Sequence, residues 1–343
     1  MFRFIQWLRT HLPCGMFPPF ANRLESWTFY FSHRTRCQKT GQQLIAQSDD
    51  LAMSPAIALP CGSPVERPFA MTLVVFDMDG TLLDAQSKIS PFTSETLSLM
   101  RQNGIAYTVA TGRTLQAALS PLAEDSFNRS LVLKNGAVIW EPTLQSYSHH
   151  HLLTPTEVSD VLGAFVAQDL TPFVFSLEDG DHHSVYHAPL RDDFEKKLAN
   201  LFESERELPL QPLTTMPTNA HVINVSAMGP LEQIEPVIDF VSHQPHLVAY
   251  SGMAIRDKGL AWLDVHHSQG SKANGVKHVA ERSGFEEVIA FGDGDNDISL
   301  FEFATESYAM DNADEELKDI ATQVIGHHDE DGVARFLRDR FNL

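Results

Sequence analysis

The chain has few cysteines, and none of them lies in its larger part. It has 343 residues and three cysteines, which are Cys14, Cys37 and Cys61. Residues 71–343 therefore contain no disulfide, and a small fold held together by disulfides is excluded for that part. A chain of this length instead has room for two domains with hydrophobic cores and an additional segment.

Positive charge and long apolar runs are scarce as well. The chain carries 25 Lys and Arg against 45 Asp and Glu, which gives a formal net charge of −20. We therefore expect the protein to bind neither nucleic acid nor an anionic membrane surface. No stretch reaches the ~18 apolar residues that a membrane-spanning helix needs, so we expect no membrane span and a soluble, cytoplasmic protein.

Residues 1–70 differ from the rest of the sequence. They contain all three cysteines, seven Lys and Arg against four Asp and Glu, and no clear helical or strand periodicity. Three interpretations are open: an incorrect gene start, with the true start at Met53 or Met71; a basic targeting peptide; or a disordered or membrane-surface arm. We favour an N-terminal extension that is disordered or an artefact of the gene start.

Two aspartates follow a short apolar run at residues 71–75. The run predicts a buried parallel strand because it is short and rich in β-branched side chains. Asp77 and Asp79 come directly after it and are followed by Gly80 and Thr81. Open α/β sheets bind ligands at the carboxyl ends of their strands, and Gly80 suggests a turn that lets both carboxylates converge. Carboxylates this close repel each other unless a divalent cation neutralises them or one of them keeps its proton.

Three further segments place polar groups at the ends of predicted elements. A second apolar strand, residues 105–110, ends in Thr111 and Gly112, where a hydroxyl and free amides can hold a phosphoryl oxygen. Lys272 opens a helical pattern and supplies a compact cation. A further strand, residues 288–291, runs into the sequence GDGDND at 292–297, whose hard oxygen ligands suit Mg²⁺. An isolated Ca²⁺ loop is the alternative for this last segment, but it follows a strand and lacks the glutamate that closes an EF-hand loop.

In this order the segments resemble the four motifs of the haloacid dehalogenase (HAD) superfamily of phosphohydrolases. The motifs are Asp77-Met78-Asp79-Gly80-Thr81, Thr111, Lys272, and Gly292-Asp293 with Asn296-Asp297. The resemblance covers residues 71 to 343 and is closest to the Cof-type branch (subclass IIB-like), whose cap domain is inserted between the second and third motifs. Residues 110–113, 134–137, 309–313 and 330–334 are also similar to that branch, except that Asp311 stands where the branch usually has glycine.

The resemblance implies a role for each of these residues. Asp77 would be the nucleophile that forms an aspartyl-phosphate, and Asp79 would be the general acid and then the general base. The phosphate-binding residues would be Thr111, Gly112, Lys272 and Asn296. Mg²⁺ would be held by Asp77, the main-chain carbonyl of Asp79, Asp293 and Asp297. For Asp297 two alternatives are open: an outer-shell position that orients a metal ligand, and a structural role as a helix N-cap or first-turn residue.

The predicted fold class is α/β, with a Rossmann-like parallel-sheet core and an inserted α+β cap domain. The core is expected at residues 71–151 and 268–343 and the cap at 152–267. In the core, Ser90-Pro91 is a typical helix start, and Asn135-Gly136 favours a hairpin turn over a role in orienting a phosphate-site loop. In the cap, the order helix-strand-strand, helix-strand, helix-strand-strand indicates an antiparallel sheet covered by helices. By the resemblance, this cap closes over the core site and determines specificity.

Histidine is abundant, with 16 residues, and several of them are adjacent in sequence. Adjacent residues on a strand point to opposite faces, so these pairs are poor chelators, and we predict no zinc site. His182, His183 and Tyr186 fall in a predicted hairpin of the cap. For this hairpin we favour a solvated tip over a contact with substrate.

The predicted function is that of a Mg²⁺-dependent phosphatase acting through an aspartyl-phosphate. The substrate would be a small phosphorylated metabolite, such as a sugar phosphate, pyridoxal phosphate or flavin mononucleotide. Two alternatives are open: a phosphotransferase or phosphomutase with the same intermediate, and a non-catalytic regulator that binds a phosphometabolite. The presence of Asp77, Asp79, Lys272 and Asp293 together argues against the regulator. The sequence predicts no oligomeric state.

Overall fold

The computed structural model describes residues 71–122, 127–178, 182–200, 202–203, 208–255 and 259–343. The predictions for residues 1–70 lie outside the described residues. The strands are β1 (Thr72–Phe76), β2 (Ala106–Val109), β3 (Leu131–Leu133), β4 (Val138–Glu141), β5 (Ser146–His150), β6 (Phe173–Glu178), β7 (His182–His187), β8 (Leu210–Pro212), β9 (His221–Pro230), β10 (Leu247–Ile255), β11 (Leu260–His267), β12 (Glu287–Gly292), β13 (Glu306–Ala309) and β14 (Gln323–Val324). The helices are α1 (Pro91–Gln102), α2 (Leu115–Leu122), α3 (Pro155–Ala167), α4 (Asp193–Asn200), α5 (Leu231–Ser242), α6 (Lys272–Ser283), α7 (Ile298–Phe303), α8 (Glu315–Ile320) and α9 (Gly332–Phe341).

A five-stranded parallel sheet forms the centre of the core. Its strand order is β14-β13-β12-β1-β2, and β1 pairs with β12 on one side and β2 on the other. Residues Leu73 to Phe76 of β1 are fully buried. A strand covered on both faces has no polar alternation, which is why the sequence reads there as one apolar run. The strand order places the ends of β1 and β12 side by side, and the two predicted acidic segments follow these ends.

The helix that follows β1 starts where the sequence predicts. Ser90 is its N-cap, and the Ser90 hydroxyl accepts a hydrogen bond from the amide of Thr93. Pro91 occupies the first helical position, where its missing N–H costs no intrahelical bond. Helix α1 thereby returns the chain to β2 and completes a parallel βαβ unit, as predicted.

A three-stranded antiparallel sheet extends the core beside β2. Strand β3 pairs with β4, and a 3₁₀ turn at Lys134–Gly136 joins them, so the predicted hairpin is confirmed. The sequence did not predict β5, which pairs with β4. Its residues, SYSHH, are polar and partly exposed, so they lack the apolar pattern by which a strand is recognised in the sequence.

A six-stranded sheet, which we call the cap sheet, is built from the segment between the second and third motifs. Its order is β10-β11-β9-β6-β7-β8, antiparallel except for the parallel pair β7–β8. Helices α3 and α5 pack on one face, and α4 packs on part of the other. The fold class is therefore confirmed, with an α+β cap inserted into a parallel core, although β8 was not predicted.

The described part of the chain contains no helix with both the length and the apolar composition that crossing a membrane requires.

Candidate active site

The segment after β1 turns sharply because of Gly80. Gly80 has φ +80°, and a Cβ added to it would lie 2.1 Å from Oδ2 of Asp293. Only glycine accepts both the left-handed backbone and this close approach. The turn predicted at Gly80 is thus observed, and it brings the segment that carries Asp77 and Asp79 against the loop that follows β12.

Two buried carboxylates, one partly buried carboxylate and one ammonium group meet at this edge of the sheet. Lys272 Nζ donates to Asp77 Oδ1 at 2.5 Å and to Asp297 Oδ1 at 2.6 Å. Lys272 and Asp297 are fully buried, and Asp77 is 5% exposed. Asp293 completes the group, since one oxygen each of Asp77, Asp293 and Asp297 lie within 4.8 Å of one another. We call these four residues the carboxylate cluster.

Burial and mutual repulsion raise the pKa values of two of these carboxyl groups. Burial raises the pKa of Asp77, the charge of Lys272 partly offsets this, and the charge of Asp297 adds to it. The pKa of Asp293 is raised by burial and by the charges of Asp77 and Asp297. For Lys272, burial alone would lower the pKa, but the neighbouring Asp297 and Asp77 outweigh burial and raise it. Lys272 is therefore a permanent cation.

The cluster has the composition of a site for a hard divalent cation. Three carboxylates face one ammonium group, so negative charge is in excess in a buried region. A group of carboxylate oxygens is the donor set that Mg²⁺ and Ca²⁺ prefer. A bound cation would remove the repulsion that raises the pKa values of Asp77 and Asp293. The residues present therefore fit a divalent metal.

Asp293 is held in place by neighbouring donors. The Thr81 hydroxyl donates to its Oδ1 at 3.2 Å, and Asn312 Nδ2 lies 3.3 Å from its Oδ2. Asn312 Nδ2 also donates to the carbonyl of Gly80 at 2.8 Å. In the sequence, Asn312 stands out only as part of the segment 309–313 that is similar to the Cof-type branch.

Asp297 organises the loop after β12. Its Oδ2 accepts hydrogen bonds from the amides of Asp293 (3.0 Å) and Gly294 (3.2 Å), while its Oδ1 accepts from Lys272. The side chain makes no capping hydrogen bond to the helix that follows. Asp297 does occupy the N-cap position of α7, as the N-cap alternative expects, but its side chain is directed to its own loop and to the carboxylate cluster.

The residues predicted to bind phosphate lie beside this cluster. Thr111 is 1% exposed, and its hydroxyl accepts from the amide of Arg113 at 3.2 Å. A Cβ on Gly112 would approach Asn135 Oδ1 to 3.1 Å. Asn135 Oδ1 also accepts from Asn296 Nδ2 at 3.0 Å. Asn135 therefore forms the predicted hairpin turn and also links two of the predicted phosphate-binding residues.

Lys272 is positioned by the start of α6. Ser271 is the N-cap, and its hydroxyl accepts from the amide of Asn274 at 3.2 Å. The hairpin turn packs directly against this helix start, because a Cβ on Gly136 (φ +91°) would lie 2.0 Å from the Ser271 carbonyl oxygen. The position of Lys272 thus depends on a glycine 136 residues earlier in the chain.

Asp79 lies outside the carboxylate cluster and pairs with Arg113. Arg113 Nε donates to Asp79 Oδ2 at 2.8 Å, and Nη2 donates to Oδ1 at 2.5 Å. Burial acts to lower the pKa of Arg113, but the charge of Asp79 outweighs it, and the pKa is raised. Arg113 belongs to the segment 110–113 that is similar to the Cof-type branch, but the sequence did not predict that it pairs with Asp79.

Two cap residues lie in a different environment from the one we predicted. His183 is 2% exposed, and its Nε2 is hydrogen-bonded to the hydroxyl of Tyr147. Tyr186 is 3% exposed, so the prediction of a solvated hairpin tip is wrong for both residues. Burial, together with the charge of Lys134, lowers the pKa of His183 to about 4. Lys134 and Tyr147 belong to the core segments, so neither the charge effect of Lys134 nor the hydrogen bond with Tyr147 can be recognised in the local sequence around His183.

Comparisons with known proteins agree with this architecture. Residues 74–337 match the family described as haloacid dehalogenase-like hydrolase. The chain is 26% identical over 276 residues to 5-amino-6-(5-phospho-D-ribitylamino)uracil phosphatase YitU of Bacillus subtilis (strain 168), which covers 79% of this chain and 98% of the relative. It is 25% identical over 280 residues to pyridoxal phosphate phosphatase YbhA of Escherichia coli (strain K12), covering 77% and 97%. The solved structure of the HAD subclass IIB sugar phosphatase BT4131 superposes with a TM-score of 0.64 at 24% identity, covering 79% and 99%, and this likeness concerns the fold.

Proposed function

The chain belongs to the haloacid dehalogenase-like hydrolase family, and on this premise we propose that it is a Mg²⁺-dependent phosphatase of small phosphorylated metabolites. The observation that carries the proposal is the carboxylate cluster, in which Asp77 at the end of β1 meets Lys272, Asp293 and Asp297. The names of two relatives specify phosphate esters of a ribitylaminouracil and of pyridoxal. We extend this substrate class, a phosphate monoester of a small organic molecule, to the present protein.

The proposed first step is attack of the Asp77 carboxylate on phosphorus. An aspartyl-phosphate forms, the bond from phosphorus to the leaving oxygen breaks, and Asp79 gives its proton to that oxygen. In the second step water attacks the phosphorus of the aspartyl-phosphate, Asp79 takes the proton, and Asp77 is released with inorganic phosphate. Lys272, already 2.5 Å from Asp77 Oδ1, offsets the negative charge that gathers in both steps.

The remaining site residues are proposed to hold the phosphoryl group and the metal. Thr111, Gly112 and Asn296 would bind phosphoryl oxygens together with Lys272. Mg²⁺ would be held by Asp77, the main-chain carbonyl of Asp79, Asp293 and Asp297. When bound, the metal supplies positive charge that offsets the repulsion between an anionic nucleophile and an anionic ester.

We also propose that the two parts of the fold have different roles. Residues 71–151 and 268–343 would form the catalytic core, and residues 152–267 would form the cap. All the proposed catalytic and metal residues come from the core segments, whereas the cap sheet supplies a surface above them. Enzymes of this construction exclude water from the reacting group when the cap closes.

The first test is hydrolysis of para-nitrophenyl phosphate with Mg²⁺ and with EDTA. Wild type should release phosphate only with the metal, and Asp77→Asn should lose turnover because an amide is a poor nucleophile. Asp160→Asn, the same chemical change on the exposed surface of α3, is the matched control and should retain activity. Near-normal turnover of Asp77→Asn would remove the covalent mechanism. Turnover that depends on an acceptor other than water would identify a phosphotransferase instead.

A further inference from the structure

Three side chains that can bind a metal lie together in the turn before α9, outside the carboxylate cluster. His327, His328 and Asp329 are consecutive, and one ring nitrogen of each histidine and one carboxylate oxygen lie within 4.8 Å of one another. We call these three residues the turn cluster. Within the described part of the chain, the acidic residues of the carboxylate cluster are the only other group of this kind.

The backbone explains why neighbours in the sequence converge here. Adjacent residues of a strand point to opposite faces, which is the reason for predicting no zinc site from the histidine pairs. His327 and His328 do not lie on a strand, because His327 caps a 3₁₀ turn. The turn closes on itself, since the amides of Glu330 (3.0 Å) and Gly332 (3.1 Å) both donate to the carbonyl of His327. The centroids of the two histidine rings are 4.7 Å apart, so the argument against chelation by adjacent histidines does not apply to this pair.

His328 is held in the tautomer that a metal ligand needs. The residue is buried, and its Nδ1 donates to the carbonyl oxygen of Leu83 at 2.8 Å. The ring proton is therefore on Nδ1 and the lone pair is on Nε2, which lies 3.8 Å from Asp329 Oδ2. Histidines that bind metals almost always donate their other ring N–H to a carbonyl or a carboxylate in this way. Leu83 thus orients His328 as an outer partner orients a metal ligand.

Backbone amides orient the other two side chains. The amide of Ala85 donates to Asp329 Oδ1 at 2.7 Å, and Oδ2 is directed to His328. His327 Nδ1 accepts from the amide of Asp329 at 3.2 Å. Coordination by His327 would cost at most this one long hydrogen bond, since either ring nitrogen can carry the lone pair once the proton has moved.

Only small movements separate the turn cluster from metal-binding geometry. Zn²⁺ binds imidazole nitrogen and carboxylate oxygen at ~2.0–2.2 Å, which places the ligand atoms of a tetrahedral site about 3.3 Å apart. The ligand atoms of the turn cluster lie within 4.8 Å, so no pair has to approach by more than about 1.5 Å. Rotation of the partly exposed His327 and Asp329 side chains provides this movement while His328 stays in place.

The donor set of the turn cluster differs from that of the carboxylate cluster. Two imidazole nitrogens and one carboxylate suit Zn²⁺ and the other late first-row divalent ions. The carboxylate cluster supplies oxygens alone, which is the donor set that Mg²⁺ prefers. The two groups would therefore select different metals. Three protein ligands leave a fourth position of a zinc site for water.

The turn cluster is connected to two segments of the core. Its backbone partners Leu83 and Ala85 belong to the segment that follows β1. The amide of His328 donates to Asn312 Oδ1 at 3.2 Å, and Asn312 Nδ2 lies 3.3 Å from Asp293 Oδ2. An ion in the turn cluster would fix the turn before α9 to the segment after β1 and would stabilise the position of Asn312.

We propose that His327, His328 and Asp329 form a second metal site, which binds one Zn²⁺ or a similar transition-metal ion and stabilises the folded core. The site is separate from the Mg²⁺ site proposed above and does not depend on the phosphatase function. Its three residues take no part in the proposed chemical steps.

Calorimetric titration of the full chain with Zn²⁺, in the presence of excess Mg²⁺ for the carboxylate cluster, tests the site. Wild type should bind one Zn²⁺ per chain at its tightest site. His327→Ala and Asp329→Asn each remove one ligand from a partly exposed position, and the affinity should fall at least tenfold in both, since outer partners of a metal site alone change affinity by ~10–100-fold. Asp329→Asn keeps a side-chain oxygen that can accept from the amide of Ala85, so its loss of binding would not come from a broken turn.

His149→Ala is the matched control. His149 and His151 are another close pair, with Nε2 atoms 3.0 Å apart. No third metal-binding side chain is grouped with them among the residues that the structure describes. This variant also loses one histidine, and it should keep the Zn²⁺ affinity of wild type.

Thermal unfolding provides a second measurement. A ligand that binds only the folded protein raises Tm. Zn²⁺ should raise the Tm of wild type and of His149→Ala, and it should raise the Tm of His327→Ala and Asp329→Asn much less. A cooperative transition in all four proteins without Zn²⁺ shows that the variants fold.

Three results would overturn the proposal. The first is the absence of Zn²⁺ binding to wild type. The second is equal affinity in wild type, His327→Ala and Asp329→Asn, which would place the ion in the carboxylate cluster or elsewhere. The third is a loss of binding in His149→Ala alone, which would place the ion at the other histidine pair. None of these measurements uses phosphatase turnover, so failure of the metal site and failure of the proposed function are distinguished.

Discussion

The guanidinium of Arg113 donates two hydrogen bonds to the carboxylate of Asp79, with Nε 2.8 Å from Oδ2 and Nη2 2.5 Å from Oδ1. The third nitrogen, Nη1, donates to the carbonyl of Ala117 at 2.8 Å, which fixes the guanidinium to the first turn of α2. The two side chains are only 11% and 21% exposed. In the proposed mechanism Asp79 carries a proton to the leaving oxygen, so Asp79 has to exchange its contact with Arg113 for a contact with substrate.

Arg113→Lys tests whether this pairing positions the acid. Lysine keeps the charge but lacks the planar fork that orients a carboxylate at two points. We expect kcat to fall about tenfold or more, because general acid catalysis contributes ~10²–10⁴-fold and depends on the orientation of the group. Steady-state kinetics with para-nitrophenyl phosphate provide the measurement. Arg335→Lys, in α9, is the control. Equal kinetics for the two variants would show that the two-point contact of the Arg113 guanidinium does not contribute to catalysis.

Asp79→Asn separates the two chemical steps. Asparagine can neither give nor take the proton, so both the formation and the hydrolysis of the aspartyl-phosphate should slow. We expect the step that depends more strongly on proton transfer to slow by up to ~10²–10⁴-fold. Hydrolysis of the aspartyl-phosphate has no other base among the residues of the proposed mechanism, and phosphorylated enzyme should accumulate. Mass spectrometry of protein quenched during turnover detects the added phosphoryl group on Asp77. Unchanged kinetics in this variant would reassign the acid–base role.

Gly136→Ala tests the contact that positions Lys272. The new methyl would lie 2.0 Å from the carbonyl oxygen of Ser271, and φ is +91° at this position. We expect the start of α6 to shift, with a fall in stability of more than about 1 kcal/mol and a loss of activity. Gly163→Ala is the matched control, because nothing lies within 4 Å of its Cβ position in α3. This control should stabilise the protein by about 0.5–1 kcal/mol, since alanine is the better helix former. Urea unfolding measures the stability of both variants, and phosphatase assays measure their activity. Wild-type stability and activity of Gly136→Ala would show that the contact of Gly136 with Ser271 does not position Lys272.

His266 predicts a dependence of stability on pH. Its pKa in the folded protein is about 3, because it is buried, whereas an unfolded histidine titrates near 6.5. Below pH 6.5 the unfolded chain binds a proton that the folded protein does not bind, so the stability due to the neutral imidazole is complete above pH 6.5 and is lost as the pH falls toward 3. At pH 5 this loss amounts to about 2 kcal/mol.

His266→Gln removes this contribution and keeps a polar side chain. The free energy of unfolding in urea should therefore fall between pH 7.5 and pH 5 by about 2 kcal/mol less in the variant than in wild type. The buried acids Asp77 and Asp293, whose pKa values are raised, act in the opposite direction, but they are common to both proteins and cancel in the comparison. An equal fall in both proteins would show that His266 is protonated or exposed in the folded state.

The sequence by itself determined the parts of this protein that depend on neighbours along the chain. The apolar run before Asp77 predicts β1, and Ser90-Pro91 predicts the start of α1, because a buried parallel strand and a capped helix each need particular residues within a few positions. The order of the four motifs indicated the haloacid dehalogenase family. Because the polar residues of these motifs follow the ends of predicted strands or open a predicted helix, the sequence also indicated that they converge at one edge of the sheet.

Only the tertiary structure decided which polar groups pair and which are buried. Lys272 and Asp77 are 195 residues apart and meet at 2.5 Å. Asp79 has Arg113 as its partner, the side chain of Asp297 binds amides of its own loop, and the buried His183 is hydrogen-bonded to Tyr147. These pairings and this burial depend on how the fold brings together segments that are distant in the sequence. Hydrogen bonds and burial depend on three-dimensional neighbours, whereas periodicity in the sequence reports only the geometry of a single helix or strand.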